Sequence, residues 1–257
     1  MVTIPIRENT FKRGLAARET QLGLWSGLSS HIGAEIIADA GYDWLLIDGE
    51  HGPVEASGIL PILQAAAKSH CCVRVPWNDK VLIKRALDIG AETIFVPFVQ
   101  NGEEAKDVVS ACKYPPYGVR GVAGSTRSSR YGRTTDYIHT ADEEICVIVQ
   151  IETADAMEQI EDIAAIDGLD GMFIGPADLS ASMGHRGNPG HEEVQAALKS
   201  AVERINAAGK PAGILCGSTA DAKKFIDWGY TFVAIGVDIP MFAKAVDTAL
   251  ADIKALI

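Results

Sequence analysis

CVIVQIETADAMEQIEDIAAIDGLDGMFIGPADLS, residues 146–180, carries one whole structural repeat. Cys146–Ile151 is a continuous apolar run, and Gly171–Ile174 is another. Runs without in/out alternation are expected of strands covered on both faces. Between them a polar turn opens at Thr153, a residue type that starts helices, and an amphipathic stretch follows. Strand, helix and strand in one such span predict a parallel βαβ unit.

The same rhythm extends in both directions. Leu22–Trp25, Trp44–Ile47, Cys71–Val75 and Thr93–Val96 precede the stretch, and Ala212–Leu215 and Thr231–Ile235 follow it. Helical segments end in a glycine, the C-cap signal: Ile32–Ala40 before Gly41, Lys80–Ile89 before Gly90, Glu192–Ala208 before Gly209, and Phe225–Trp228 before Gly229. Asn78-Asp79, Asn101 and Ser218-Thr219 are further start signals. About eight such units in 257 residues predict a single (β/α)8 TIM barrel domain, residues 1–257. A doubly wound open sheet is the alternative. It usually has fewer strands and a Gly-rich first turn, and no G-x-G-x-x-G follows Leu22–Trp25. One long irregular stretch, Tyr114–Asp142, contains Arg120, Arg127, Arg130 and Arg133. It is expected to be an anion-collecting lid or a subunit contact.

Composition narrows the class of function. The net charge of −11 disfavours a nucleic-acid or anionic-membrane partner. Met1–Arg18 is polar and has no apolar core of a secretory signal, and no apolar run is long enough to span a membrane. The five cysteines do not form a disulfide framework and read as reduced thiols of a cytoplasmic protein.

Barrel enzymes work at the C-terminal ends of their strands. Those ends hold Trp25, then Asp48-Gly49-Glu50-His51, Arg74, Gln150-Ile151-Glu152, Gly175-Pro176-Ala177-Asp178, Cys216 and Asp238. Period two places Cys146, Ile148, Gln150 and Glu152 on one face, Leu46 with Asp48, and Cys72 with Arg74. An arginine in so apolar a strand needs a partner. Convergence of Glu152, Asp178, Arg74, Asp48 and His51 therefore predicts one polar pocket. Two facing carboxylates repel unless a cation lies between them. With water they suit a hard divalent ion such as Mg²⁺ or Mn²⁺, with Co²⁺ also accommodated. Such an ion accepts a chelating 2-oxo acid and stabilises its enolate, with Arg74 assisting at the keto oxygen and His51 shuttling a proton through water. Each residue also has a plain structural reading: a cap or ion pair for the carboxylates and Arg74, a loop histidine for His51, and packing for Trp25. The remaining histidines read as surface or capping residues. No lysine falls at a strand C-terminus, which disfavours a Schiff base, and no organic cofactor is indicated.

From Phe11 onward the chain resembles the HpcH/HpaI aldolases, typified by 4-hydroxy-2-oxoheptanedioate aldolase, within the phosphoenolpyruvate/pyruvate-binding barrel superfamily. The resemblance rests on Gly23-Leu24-Trp25-Ser26, Leu45-Leu46-Ile47-Asp48-Gly49-Glu50-His51 and Val73-Arg74-Val75-Pro76-Trp77-Asn78-Asp79. It continues in Tyr114-Pro115-Pro116-Tyr117-Gly118-Val119-Arg120-Gly121, Val149-Gln150-Ile151-Glu152-Thr153 and Phe173-Ile174-Gly175-Pro176-Ala177-Asp178-Leu179-Ser180. It implies a divalent-metal-dependent class II aldolase that cleaves 4-hydroxy-2-oxo acids to pyruvate and an aldehyde. By position, Glu152 and Asp178 are implied as metal ligands and Arg74 as the group on the keto oxygen. Gln150 is implied as a pyruvate contact, and Gly175, Pro176 and Ala177, with Asp178, as the carboxylate cradle. His51 is implied as acid/base, Asp88 as its partner, and Trp25 and Asp48 as borders of the aldehyde end. A C-terminal helix exchanged between subunits and a hexamer, a trimer of dimers, are implied as well. Gly52, often Ala in the family, and the loosely similar Gly124–Arg133 are departures that bear on aldehyde choice.

Other readings are a CoA-thioester lyase of the citrate or malyl type, a phosphosugar epimerase, or a metal-binding barrel without catalysis. The first needs a CoA surface that this chain does not display. The second needs a phosphate loop, of which Cys216-Gly217-Ser218 is a weak version, and Asp238 would repel the phosphate.

Overall fold

Eight parallel strands close on one another in chain order in the computed structural model, which describes residues 3–257. The strands are β1 Gln21–Ser26, β2 Trp44–Asp48, β3 His70–Arg74, β4 Thr93–Val96, β5 Cys146–Ile151, β6 Gly171–Ile174, β7 Ala212–Leu215 and β8 Phe232–Val237. The helices are α1 Thr10–Ala16, α2 His31–Asp39, α3 Ala56–Ala65, α4 Lys80–Asp88, α5 Gly102–Cys112 and α6 Tyr137–Glu144, then α7 Ala154–Glu158, α8 Ile160–Ala164, α9 Pro176–Ser182, α10 Glu192–Ala207, α11 Thr219–Trp228 and α12 Asp238–Lys254. This is the expected TIM barrel.

Local chemistry explains the boundaries. Asp79, Asn101, Thr153 and Ser218 each cap a helix, accepting backbone N–H groups of the first turn. Gly41, Gly90, Gly209 and Gly229 stand just beyond helices with left-handed φ of 83–107°.

The strands bury both faces, and alternation decides which residue goes where. Leu46, Cys72, Phe95, Cys146, Ile148, Phe173 and Phe232 fill the interior of the barrel. Leu45, Ile47, Val73, Val147 and Val149 pack outward under the helices. Close packing of rings inside leaves no room for a Cβ at Gly23, which would stand 2.1 Å from the Trp44 ring. With Leu46, Cys72 and Ile148 facing in, Asp48, Arg74 and Gln150 face in as well, at the upper rim.

Three features differ from the expectations above. The N-terminal segment is not merely polar: α1 plugs the foot of the barrel with Phe11 and Leu15, and Phe11 packs against Trp44, His70 and Phe232. His70 is neither surface nor capping. It is buried on β3, bonds Thr93 Oγ1 at 2.7 Å, and burial pushes its pKa down to about 3. The stretch 114–142 holds a short turn at Arg127–Ser129 and runs into α6, and it packs at the foot of β4 rather than as a lid over the upper rim.

α12 stands apart from the other helices. Every residue after Asp238 is exposed, including Met241, Phe242, Val246 and Leu250. On the barrel wall, Ile32 and Ile36 of α2 are exposed too. No helix of the described residues is long and apolar enough to cross a membrane.

Candidate active site

A cavity of about 370 Å³ opens at the C-terminal ends of the strands. Trp25, Asp48, His51, Arg74, Gln150, Glu152, Gly175, Pro176, Ala177 and Asp178 all line it, as the sequence predicted. Phe173, Leu215 and Val237 complete an apolar wall that the sequence reading did not single out. No lysine lies in the lining.

Strand register builds the basic corner. Asp48 and Arg74 are direct neighbours across β2 and β3. Arg74 Nε and Nη2 donate to the two Asp48 oxygens at 2.9 and 2.6 Å, a bidentate pair inside the barrel. Trp25 Nε1 donates to the same carboxylate at 3.0 Å, and its ring faces the guanidinium at 4.7 Å. Burial alone would raise the Asp48 pKa, but Arg74 holds it below the usual carboxylate range. Glu50 is a further acid here that the sequence reading passed over. Its Oε2 lies 2.7 Å from Arg74 Nη1 as an ion contact, at an angle that makes no directed hydrogen bond. Burial raises its pKa against the pull of Arg74. The signal was there in Asp48-x-Glu50, two acids of one parity at a strand end.

Glu152 forms the acidic corner. It is 2 % exposed. Gln150 Nε2 donates to Oε1 at 2.9 Å and the Phe98 backbone N–H donates to Oε2 at 3.0 Å. Burial lifts its pKa to about 7, with Glu50 and Asp178 adding to the rise and the Phe98 N–H and Arg74 opposing it. Gly175 leaves the space this carboxylate occupies, since a Cβ there would lie 2.4 Å from Oε1. Asp178 sits in the first turn of α9 and is half-buried. Among the described residues, Gln150 Oε1 is buried with no partner.

This donor set fits a hard divalent cation. A desolvated carboxylate with acids beside it, a second carboxylate on the next strand's helix, and an unpartnered amide oxygen are oxygen donors short of positive charge. Glu152 and Asp178 would be its protein ligands.

His51 stands at the mouth, with its side chain 69 % exposed. Its ring nitrogen lies 4.0 Å from Glu50, and its backbone N–H is held by Asp48 Oδ1 at 3.2 Å. The expected partner, Asp88, is not brought to it within the chain. Helices of a barrel run back toward the foot, so Asp88, the last residue of α4, lies at the far end from His51. There it accepts a 3.1 Å bond from Arg120. None of the four loop arginines lines the cavity of its own chain. Arg120 is buried against Tyr114, Arg127 donates to the Ile89 carbonyl, and Arg133 donates to the Arg130 carbonyl. Asp238 is not a bystander either: at the start of α12 it accepts from Ser26 Oγ, the end of β1, and from the Gly27 N–H just beyond, both at 2.8 Å. Cys216 is no nucleophile, because burial raises its pKa to about 11.

The sequence model of the HpcH/HpaI aldolase/citrate lyase family matches residues 21–245. The chain belongs to this family. It is 50% identical over 247 residues to the 4-hydroxy-2-oxo-heptane-1,7-dioate aldolase of Salmonella arizonae, spanning 95% of this chain and 94% of that one. The crystal structure of a HpcH/HpaI aldolase/citrate lyase family protein from Burkholderia cenocepacia superposes with a TM-score of 0.93 at 38% identity, covering 96% of this chain and 99% of that one. The citrate synthase SbnG superposes at 0.86 with 28% identity, covering 96% and 98%. The protein is accordingly a carbon–carbon lyase of the aldolase type.

Proposed function

We propose that the protein cleaves, and in reverse forms, 4-hydroxy-2-oxo acids, giving pyruvate and an aldehyde, with a divalent metal ion. The observation that carries this is the single cavity in which Glu152, Asp178, Arg74, Gln150 and His51 meet with no lysine. The named Salmonella relative makes the seven-carbon dioate the first substrate to try.

A divalent ion held by Glu152 and Asp178 would supply Lewis-acid polarisation of the keto group. The remaining work belongs to the chain. The Gly175–Asp178 backbone, opening α9, cradles the 2-oxo acid's carboxylate. Gln150 contacts the bound pyruvate portion. Arg74, fixed in orientation by Asp48, donates to the keto oxygen as charge develops there. His51 takes the proton from the 4-hydroxyl. The C3–C4 bond then breaks, its electron pair passes into the pyruvate enolate, the aldehyde leaves, and C3 takes up a proton by way of water as His51 gives up the one it removed, so no net proton is gained or lost. Trp25 and the Phe173–Leu215–Val237 wall border the aldehyde.

Assembly belongs to the same reading. The bare apolar face of α12 and the bare Ile32–Ile36 face of α2 suit exchange of α12 between two copies, and a hexamer is the expected assembly. Asp88 would then reach His51 from a second copy. Five unpaired buried thiols support a reducing, cytoplasmic location.

The test is pyruvate release from a panel of 4-hydroxy-2-oxo acids, with and without chelator, beside citrate and malyl thioesters. Chelator-sensitive release from the hydroxy-oxo acids is expected. Turnover of a thioester alone, or full turnover after chelation and gel filtration, would overturn the reading.

A further inference from the structure

Phe98 lies two residues beyond β4 with φ of 54°. A bulky residue rarely adopts this left-handed conformation, and one that does is held there by its surroundings. The surroundings are specific. The Phe98 N–H donates to Glu152 Oε2 at 3.0 Å, and its carbonyl accepts from Gln100 Nε2 at 3.0 Å. Gln100 Oε1 accepts from Thr153 Oγ1 at 2.7 Å, and the Val99 N–H donates to the Gln150 carbonyl at 3.2 Å. The turn 98–100 is thus bolted to residues 150–153 at three points. The left-handed residue lets these bonds coexist: a change of φ at Phe98 swings Val99 and Gln100 relative to the Phe98 N–H. The ring is locked from the other side by stacking on Trp77, centroids 5.9 Å apart and planes at 27°.

The turn bears on one oxygen of Glu152 while Gln150 bears on the other. We infer that Phe98 and Gln100 are positioning residues for Glu152: the left-handed turn aims this carboxylate and sets the affinity of the metal site. Glu152 uses one hydrogen bond at each oxygen and keeps a lone pair at each for an ion. Partners of a metal ligand commonly set affinity by 10- to 100-fold, so loss of the turn costs about that. The inference rests on the reading of Glu152 as a metal ligand.

Backbone conformation and ring can be separated by substitution. Asn enters the left-handed region readily, and a β-branched residue does not. Mn²⁺ binding to the intact protein is measured by calorimetry for Phe98→Val, Phe98→Asn, Gln100→Ala and Glu152→Gln, with thermal melts as the check on folding. Phe98→Val and Gln100→Ala are expected to weaken binding by roughly 10- to 100-fold. Phe98→Asn stays within about threefold of the unmodified protein. Glu152→Gln abolishes binding. If Glu152→Gln does so while the Phe98→Val and Gln100→Ala proteins bind as the parent does, the inference fails and the metal reading stands. A Phe98→Asn protein as weak as Phe98→Val also overturns it. If Glu152→Gln binds Mn²⁺ undiminished, the metal reading itself falls. Should Phe98→Val not fold, Gln100→Ala still decides.

Discussion

As the proposed metal ligand, Glu152 is a carboxylate whose proton would compete with the ion. Its pKa, lifted to about 7 chiefly by burial, predicts that Mn²⁺ affinity falls about tenfold between pH 8 and pH 6. Calorimetry at the two values checks this, and a flat profile would contradict it. The sign for folding is opposite. The folded pKa lies above the ordinary 4.5, so the metal-free fold gains stability as pH falls from about 7 toward 4.5. Arg74 sits in the same site with a different constraint. Removing it would leave Asp48 buried and unpaired, at a cost of ~3–5 kcal/mol, so Arg74→Ala mixes stability with chemistry. Arg74→Lys keeps a charge but loses the planar fork that bonds both Asp48 oxygens. It is expected to lower kcat by ~10²-fold or more while KM for the 2-oxo acid changes little. Steady-state kinetics and pyruvate α-proton exchange should fall together. Exchange at the parent rate would make Arg74 a structural residue only.

Elements show where polar character misleads. α1 is rich in charge, yet its Phe11 and Leu15 form the floor of the barrel interior. Phe11 is 1 % exposed and meets three rings, so Phe11→Ala should cost ~3–5 kcal/mol in a urea melt. KM should not move, because α1 closes the end opposite the cavity. A loss under ~1 kcal/mol would mean that the floor collapses to fill the gap. The 114–142 segment departs from one half of its expectation, a lid over the cavity of its own chain. Its arginines suggested an anion trap, but Arg120 spends its charge on Asp88 and its flat face on Tyr114. A guanidinium packed on aromatic rings can be interior, and composition cannot separate that use from ligand binding.

At the scale of the whole molecule, one chain by itself leaves His51 without the partner proposed for it. His51 is exposed and has no close bonded partner, and Asp88 lies at the other end of the barrel. The proposed exchange of α12 between copies would place surfaces of different subunits side by side. A mixture of His51→Ala and Asp88→Ala proteins, unfolded and refolded together, should then recover activity that neither has alone. Random pairing restores about a quarter of the sites. His51→Ala by itself should lose cleavage by roughly 10²- to 10⁴-fold while still binding Mn²⁺ and pyruvate. No recovery in the mixture would place the partner of His51 within its own chain, where Glu50 stands nearest.

Local order along the chain was enough to specify the barrel and the rim of its site. Period two is a local property: once Ile148 faces inward, Gln150 must follow, and Glu152 beyond it at the strand end. Caps at Asp79, Asn101, Thr153 and Ser218 are equally local, each a side chain bonding a backbone N–H within the next turn. Contacts between residues far apart in the chain were not legible in this way. The bidentate grip of Arg74 on Asp48 depends on the register of β2 against β3. The Phe98 N–H on Glu152 joins residues 54 positions apart through a backbone atom, which no side-chain pattern announces. Asp88 was placed beside His51 by resemblance, but helix direction puts it at the foot of the barrel. Strand and helix periods are set by neighbours a few residues away. Direction, register and subunit are set by the packing of the whole, and that packing decides which charges meet.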